Sequence, residues 1–139
     1  MAEVFALKNL TVDAKRYYDN AVSLMPFVID YKLKLGAFLI DNKQLKAAKV
    51  IFETALALNP THKEIHLNLG YIFILQQNSL KADLYLKQAI ALDPDYILAY
   101  ENLVLSAQMQ NKMKDVKVYL NKILEIAPNH NARLILKNL

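Results

Sequence analysis

Apolar residues along this chain recur at helical spacing, and short polar stretches interrupt them. The stretch from residue 63 to 76 shows the pattern most fully. At about 100° per residue, His66, Leu69, Gly70 and Phe73 form one stripe, Ile65 and Ile72 a second, and Leu67, Tyr71 and Ile74 a third. A helix that is apolar all round must be covered on more than one side. The polar stretches Asp41-Asn42-Lys43, Gln76-Gln77-Asn78-Ser79 and Gln110-Asn111-Lys112 predict turns that divide the chain into antiparallel helix pairs.

The pattern repeats. Pro26, Pro60, Pro94 and Pro128 stand 34 residues apart and are all the prolines in the chain. A proline lacks an N–H and biases the preceding residue away from helix, so each one predicts the end of a second helix. Ala21, Ala55 and Ala89 recur in phase with the prolines, as do Tyr18, Phe52, Leu86 and Leu120. Ala14, Ala48 and Ala82 form another such series, continued by Val116, and Leu35-Gly36 is echoed by Leu69-Gly70. The two glycines and the alanines opposite them predict close approach of paired helices. Val104 and Val116, which replace Gly and Ala in one unit, predict a slightly wider pair. Thr61-His62-Lys63-Glu64 reads as a capping box, and Asp95 and Asn129 suit helix starts.

These residues resemble the tetratricopeptide repeat family, whose pattern runs from an aromatic residue through Leu-Gly and Ala-x-x-x-Phe to Pro. The match is Leu35-Gly36, Leu39, Ala48, Phe52, Ala55 and Pro60, then Leu69-Gly70, Phe73, Ala82, Leu86, Ala89 and Pro94. It continues in Tyr100, Leu103, Ala107, Leu120 and Pro128. The opening aromatic slot holds Lys32 and His66 in the first two units. The resemblance implies an all-α fold, a right-handed superhelix of antiparallel helix pairs. The expected organisation is a single domain over residues 1–139. A partial repeat occupies 1–26, and full repeats occupy about 29–60, 63–94 and 97–128. A capping helix follows at about 130–139, where Lys137 takes the slot of Leu35, Leu69 and Leu103. In the partial repeat, Ala2 to about Lys8 leave too little room for a first helix before a turn at Asn9–Asp13. Such a chain is either a small free-standing array or a piece of a longer protein.

In this family the leftover third stripe lines the concave surface. The corresponding residues are Leu33, Ala37 and Ile40, flanked by Asp30 and Asp41; then Leu67, Tyr71 and Ile74; then Leu98, Leu105 and Met109, with Glu101 and Gln108. Ala132 and Ile135 extend the strip. The functional expectation is an apolar groove with an acidic rim that takes a peptide or helix of a partner. Leu67, Tyr71 and Ile74 are its central anchors. The alternatives are that these residues are simply core, that the chain self-associates as a homodimer, or that it is the targeting domain of a larger protein whose activity lies outside this chain. Family members that grip a terminal carboxylate use Lys and Asn on the groove helices. Here the matching places hold Leu33 and Ala37, or Leu67 and Tyr71, which argues against that ligand; Asn68 and Asn102 do match Asn places.

Composition narrows the chemistry. Of 139 residues, 55% are hydrophobic and 22% charged, so the chain can bury a core. Zero cysteines exclude disulfides and thiol chemistry. The net charge of +4 would imply nucleic acid only if basic residues clustered. Lys112, Lys114, Lys117 and Lys122, and Lys43, Lys46 and Lys49, instead scatter over the outer face of second helices, interspersed with Glu53, Asp83 and Asp115. His62 and His66 have the i, i+4 spacing of metal ligands but no third partner, and His130 reads as an exposed residue at a helix start. No catalytic arrangement or cofactor motif is visible, so the expectation is a binding module without cofactor or metal, rather than an enzyme. No membrane-spanning run or signal peptide appears. The compartment stays open, with the cytoplasm as default.

Overall fold

A computed structural model describes residues 2–139, with side chains from Val12 onward. Among the described residues there are eight α-helices and no strand. They are α1 (Ala2–Leu24), α2 (Ile29–Asp41), α3 (Leu45–Leu58), α4 (Lys63–Leu75), α5 (Ser79–Leu92), α6 (Ile97–Met109), α7 (Met113–Ile126) and α8 (Ala132–Lys137). First helices start at Ile29, Lys63 and Ile97, and second helices at Leu45, Ser79 and Met113, so the repeat period is kept to the residue. The architecture is a helical repeat solenoid. Its helices group into two compact units, one ending at Pro60 and the other spanning Thr61–Leu139.

The turn inside each pair has one construction. Lys43, Gln77 and Asn111 adopt left-handed backbone, with φ of 59°, 57° and 55°. Around Gln77, its N–H donates to the Ile74 carbonyl and the Asn78 N–H to the Phe73 carbonyl. This is a Schellman closure, which satisfies two carbonyls that the helix end leaves open. The same two bonds form after α2 and α6. Asn78 also caps α5, its side chain accepting the Lys81 N–H at 3.2 Å.

The prolines act as expected. Asn59, Asp93 and Ala127, each preceding a proline, end their helices at φ/ψ of −142°/91°, −143°/98° and −133°/89°. The next helix starts later than the capping residues suggested. The Tyr96 N–H donates to the Asp93 carbonyl and the His130 N–H to the Ala127 carbonyl, at 3.1 and 3.0 Å. Pro94 and Pro128 therefore take the second place of a β-turn, and Asp95 and Asn129 sit inside the turns rather than at helix caps. α4 likewise has His62 at its N-cap, one residue beyond Thr61, and no side-chain cap bond forms there.

The turn expected at Asn9–Asp13 is also absent, since α1 runs unbroken from Ala2 to Leu24. That stretch contains neither Gly nor Pro. Asn, Thr and Asp each cost only about 0.7 kcal/mol or less inside a helix, too little to stop one.

Small residues set the helix spacing. A Cβ built on Gly36 would stand 2.3 Å from Cζ of Phe52, and one on Gly70 would stand 2.7 Å from Cγ of Leu86. Ala48, Phe52 and Ala55 are fully buried on α3, as are Ala82, Leu86 and Ala89 on α5. The degenerate slot of Lys32, His66 and Tyr100 is buried in all three pairs. In the second unit Phe73, Tyr100, Leu103, Val116, Leu120 and Ile123 belong to one continuous core.

Candidate functional site

In the second unit α4 packs directly on α6, α6 on α7 and α7 on α8. The third stripe of each first helix has a distinct degree of exposure. Leu67 and Tyr71 are half-buried, and Leu67 packs partly on the core. Ile74 is only 8% exposed and belongs to the core, so its side chain is turned inward. Leu98 and Leu105 on α6 are open at 52% and 45%, with Glu101 half-buried between them. In the first unit Leu33 and Ile40 are half-buried and Ala37 is exposed.

A cavity of about 370 Å³ lies among α6, α7 and α8. It brings together Glu101, Leu105 and Gln108 of the strip with Ala132 and Ile135 of the terminal segment. Leu98, Leu67 and Tyr71 are not among its walls. Its floor is apolar, from Val104, Leu120 and Ile123. His130 stands in the wall rather than exposed in solvent. Its Nε2 lies 3.2 Å from Oε1 of Glu101, and its Nδ1 accepts the Ala132 N–H at 3.1 Å. One imidazole thus ties the start of α8 to the middle of α6. Sequence reading missed this because residues 101 and 130 meet only once α8 has folded back. The amide nitrogens of Asn102 and Asn68 donate to the carbonyls one helical turn earlier, Leu98 and Glu64, at 2.8 Å each.

The sequence pattern described as Tetratricopeptide repeat matches residues 29–62 and 63–96. The chain carries tetratricopeptide repeats. Solved structures agree in fold. YrrB, a TPR protein with an unusual peptide-binding site, is 22% identical, with a TM-score of 0.81 over 99% of this chain and 71% of that one. A thermophilic TPR protein of Thermus thermophilus is 21% identical, with a TM-score of 0.82 over 99% and 76%. MamA is 24% identical, with a TM-score of 0.78 over 88% and 72%. No curated protein matches the chain by sequence.

Two polar clusters within the tetratricopeptide array were not legible beforehand. Asp83, expected on the solvated outer face, turns toward α6. Its carboxylate accepts the Ser106 hydroxyl at 2.6 Å and the Gln110 amide at 3.0 Å, and Ser106 is fully buried. At the other end of α5, Lys63 pairs with Asp93 and lies over the Tyr96 ring, 4.7 Å from its centroid. The hydrogen bond from Lys63, with a second from the Asp95 N–H, holds the Asp93 carboxyl below its ordinary value. Burial, reinforced by Glu64 and Asp93, pushes the Tyr96 phenol up to about 12.

Lys43, Lys46, Lys112, Lys114 and Lys117 are exposed, as expected of an outer face. Among the described residues no cluster of three or more His, Asp or Glu could hold a metal. No described helix is long and apolar enough to cross a membrane.

Proposed function

We propose that this tetratricopeptide array is a protein-interaction module that presents the third-stripe face of its first helices to an apolar or amphipathic segment of a partner. The observation that carries this reading is the exposure of Leu98 and Leu105 at regular spacing on α6, beside an apolar-floored cavity. Leu67 and Tyr71 on α4 are the neighbouring anchors, and Glu101 supplies the polar rim. Leu33, Ala37 and Ile40 hold the corresponding places on α2 in the first unit. The peptide-binding site of YrrB, a protein of the same fold, supports the reading. Burying about 300 Å² of apolar surface yields about 7 kcal/mol before association costs, so short peptides should bind at micromolar strength or weaker.

The test is Tyr71→Ala and Leu105→Ala, measured for peptide capture and for thermal unfolding. Weakened capture with unfolding little changed supports a contact surface. A large loss of thermal stability with capture unchanged shows both side chains to be core and sinks the reading.

The open face of α1 favours a second reading, self-association. Ala14, Tyr18 and Ala21 hold the register of the fully buried Ala48, Phe52 and Ala55 but are only half-buried. Tyr17, Leu24 and Phe27 nearby are exposed at 69%, 81% and 80%. Light-scattering mass that rises with concentration, and falls back with Leu24→Glu, supports this reading. A monomer at every concentration rejects it.

A further inference from the structure

We propose that the cavity among α6, α7 and α8 takes an apolar side chain of a partner peptide whose adjacent residue is Lys or Arg, with Glu101 as the counter-charge. This rests on the peptide-binding reading and names the chemistry that such a peptide must carry.

The argument begins with size and lining. A volume of about 370 Å³ is at the low end of what encloses a small ligand and suits one large side chain with its neighbours. The floor of Val104, Leu120 and Ile123 offers such a side chain no polar partner, so the anchor must be apolar. Charge then decides what stands beside it. Glu101 is the one carboxylate in the wall, and no Lys or Arg lines the cavity.

His130 does not cancel that charge. Its Nδ1 accepts the Ala132 N–H, so its lone pair is in use and the ring's proton sits on Nε2, facing Glu101. The ring bonded in this way faces the carboxylate through Nε2 alone. It donates one hydrogen bond to Oε1 and leaves the full negative charge at the rim of an apolar recess. A cationic neighbour of the anchor gains from that charge, and an acidic one is repelled. The site therefore has the opposite electrostatic sense from one built to hold a carboxylate.

The test uses the full chain and an array of short peptides. Leu, Ile or Phe is fixed at the centre, Lys, Gln or Glu beside it, and the flanks are random. A partly exposed pair contributes up to about 1 kcal/mol, so Lys peptides should be captured about 3- to 5-fold better than Gln peptides, with Glu peptides weakest. Glu101→Gln keeps an acceptor for His130 but removes the charge, and should abolish the ranking. Glu101→Lys should invert it. Ile135→Gln should weaken all three classes together.

Capture of apolar peptides without charge preference overturns this inference and leaves the peptide-binding reading standing. A basic preference that survives Glu101→Gln overturns the assignment to this cavity. Capture of none of the peptides overturns both readings.

Discussion

Gly36 shows how much one missing methyl group can matter. An alanine there gains about 1 kcal/mol in helix propensity over glycine. Its Cβ would, however, stand 2.3 Å from a Phe52 ring that is itself fully buried. Overpacking of this kind costs about 1–3 kcal/mol, so Gly36→Ala should lower stability in urea titration despite the better propensity. A gain would mean that α2 and α3 can slide apart freely. The opposite sign is expected at Gln77, whose φ of 57° is strained for a side chain. A left-handed residue costs roughly 1–2 kcal/mol, offset in part by the greater freedom of glycine in the unfolded chain. Gln77→Gly should therefore raise stability by about 0.5–1 kcal/mol, and Asn111→Gly by less, because asparagine tolerates that backbone better. The glycine role was legible because Leu-Gly recurs in phase with the prolines. The left-handed positions were not, because Lys43, Gln77 and Asn111 share a place in the repeat but no side-chain chemistry.

Between elements, apolar contacts dominate, and the contact of Ser106 with Asp83 is a polar exception. Ser106 holds the register of Phe38 and Ile72 in the other pairs, yet it is buried and bonded across α5 and α6 to Asp83. Asp83 is half-buried and keeps its bond from Gln110, so Ser106→Ala should cost about the 0.5–1.5 kcal/mol of one net hydrogen bond. Once Asp83 is also replaced by Ala, the second loss should be smaller than either single loss suggests, because both report the same bond. Strict additivity in the double-mutant cycle would show that the bond contributes nothing. The ends of the second helices and the turns inside the pairs were legible, because proline stops and polar turns are local signals. The pin was not legible. A helical wheel places Asp83 among lysines on the outer face, and only the approach of α6 turns it inward. The same limit explains α1. A turn was expected where the repeat pattern called for one, but Asn9, Thr11 and Asp13 are too weak to break a helix that nothing else interrupts.

For the whole molecule, an array of repeats sums local stabilities and nearest-neighbour terms instead of sharing one core. Those terms are unequal here. The unit spanning Thr61–Leu139 buries Ile65, Leu69, Ile72, Leu86, Leu103, Leu120 and Ile123 almost completely, whereas among the described residues of the unit ending at Pro60 the comparably large and enclosed side chains are Leu35, Leu39 and Phe52. The candidate cavity lies within the better-packed unit. Its apolar strip could be read from the sequence, whereas the pairing of Glu101 with His130 depends on the placement of α8. A preformed recess on rigid helices lowers the ordering cost of binding, so the location of greatest stability bears on where a partner docks. Native-state hydrogen exchange should therefore show amides of α5 and α6 opening with the largest free energy and those of α2 and α3 with less. Leu103→Ala, which empties a fully buried site, should cost about 2–5 kcal/mol. That loss should appear as lower protection across α4 to α7 while α2 and α3 keep theirs. Equal loss in every helix would show that the chain opens as one cooperative body, and the proposed site would then be no more preformed than the rest of the array.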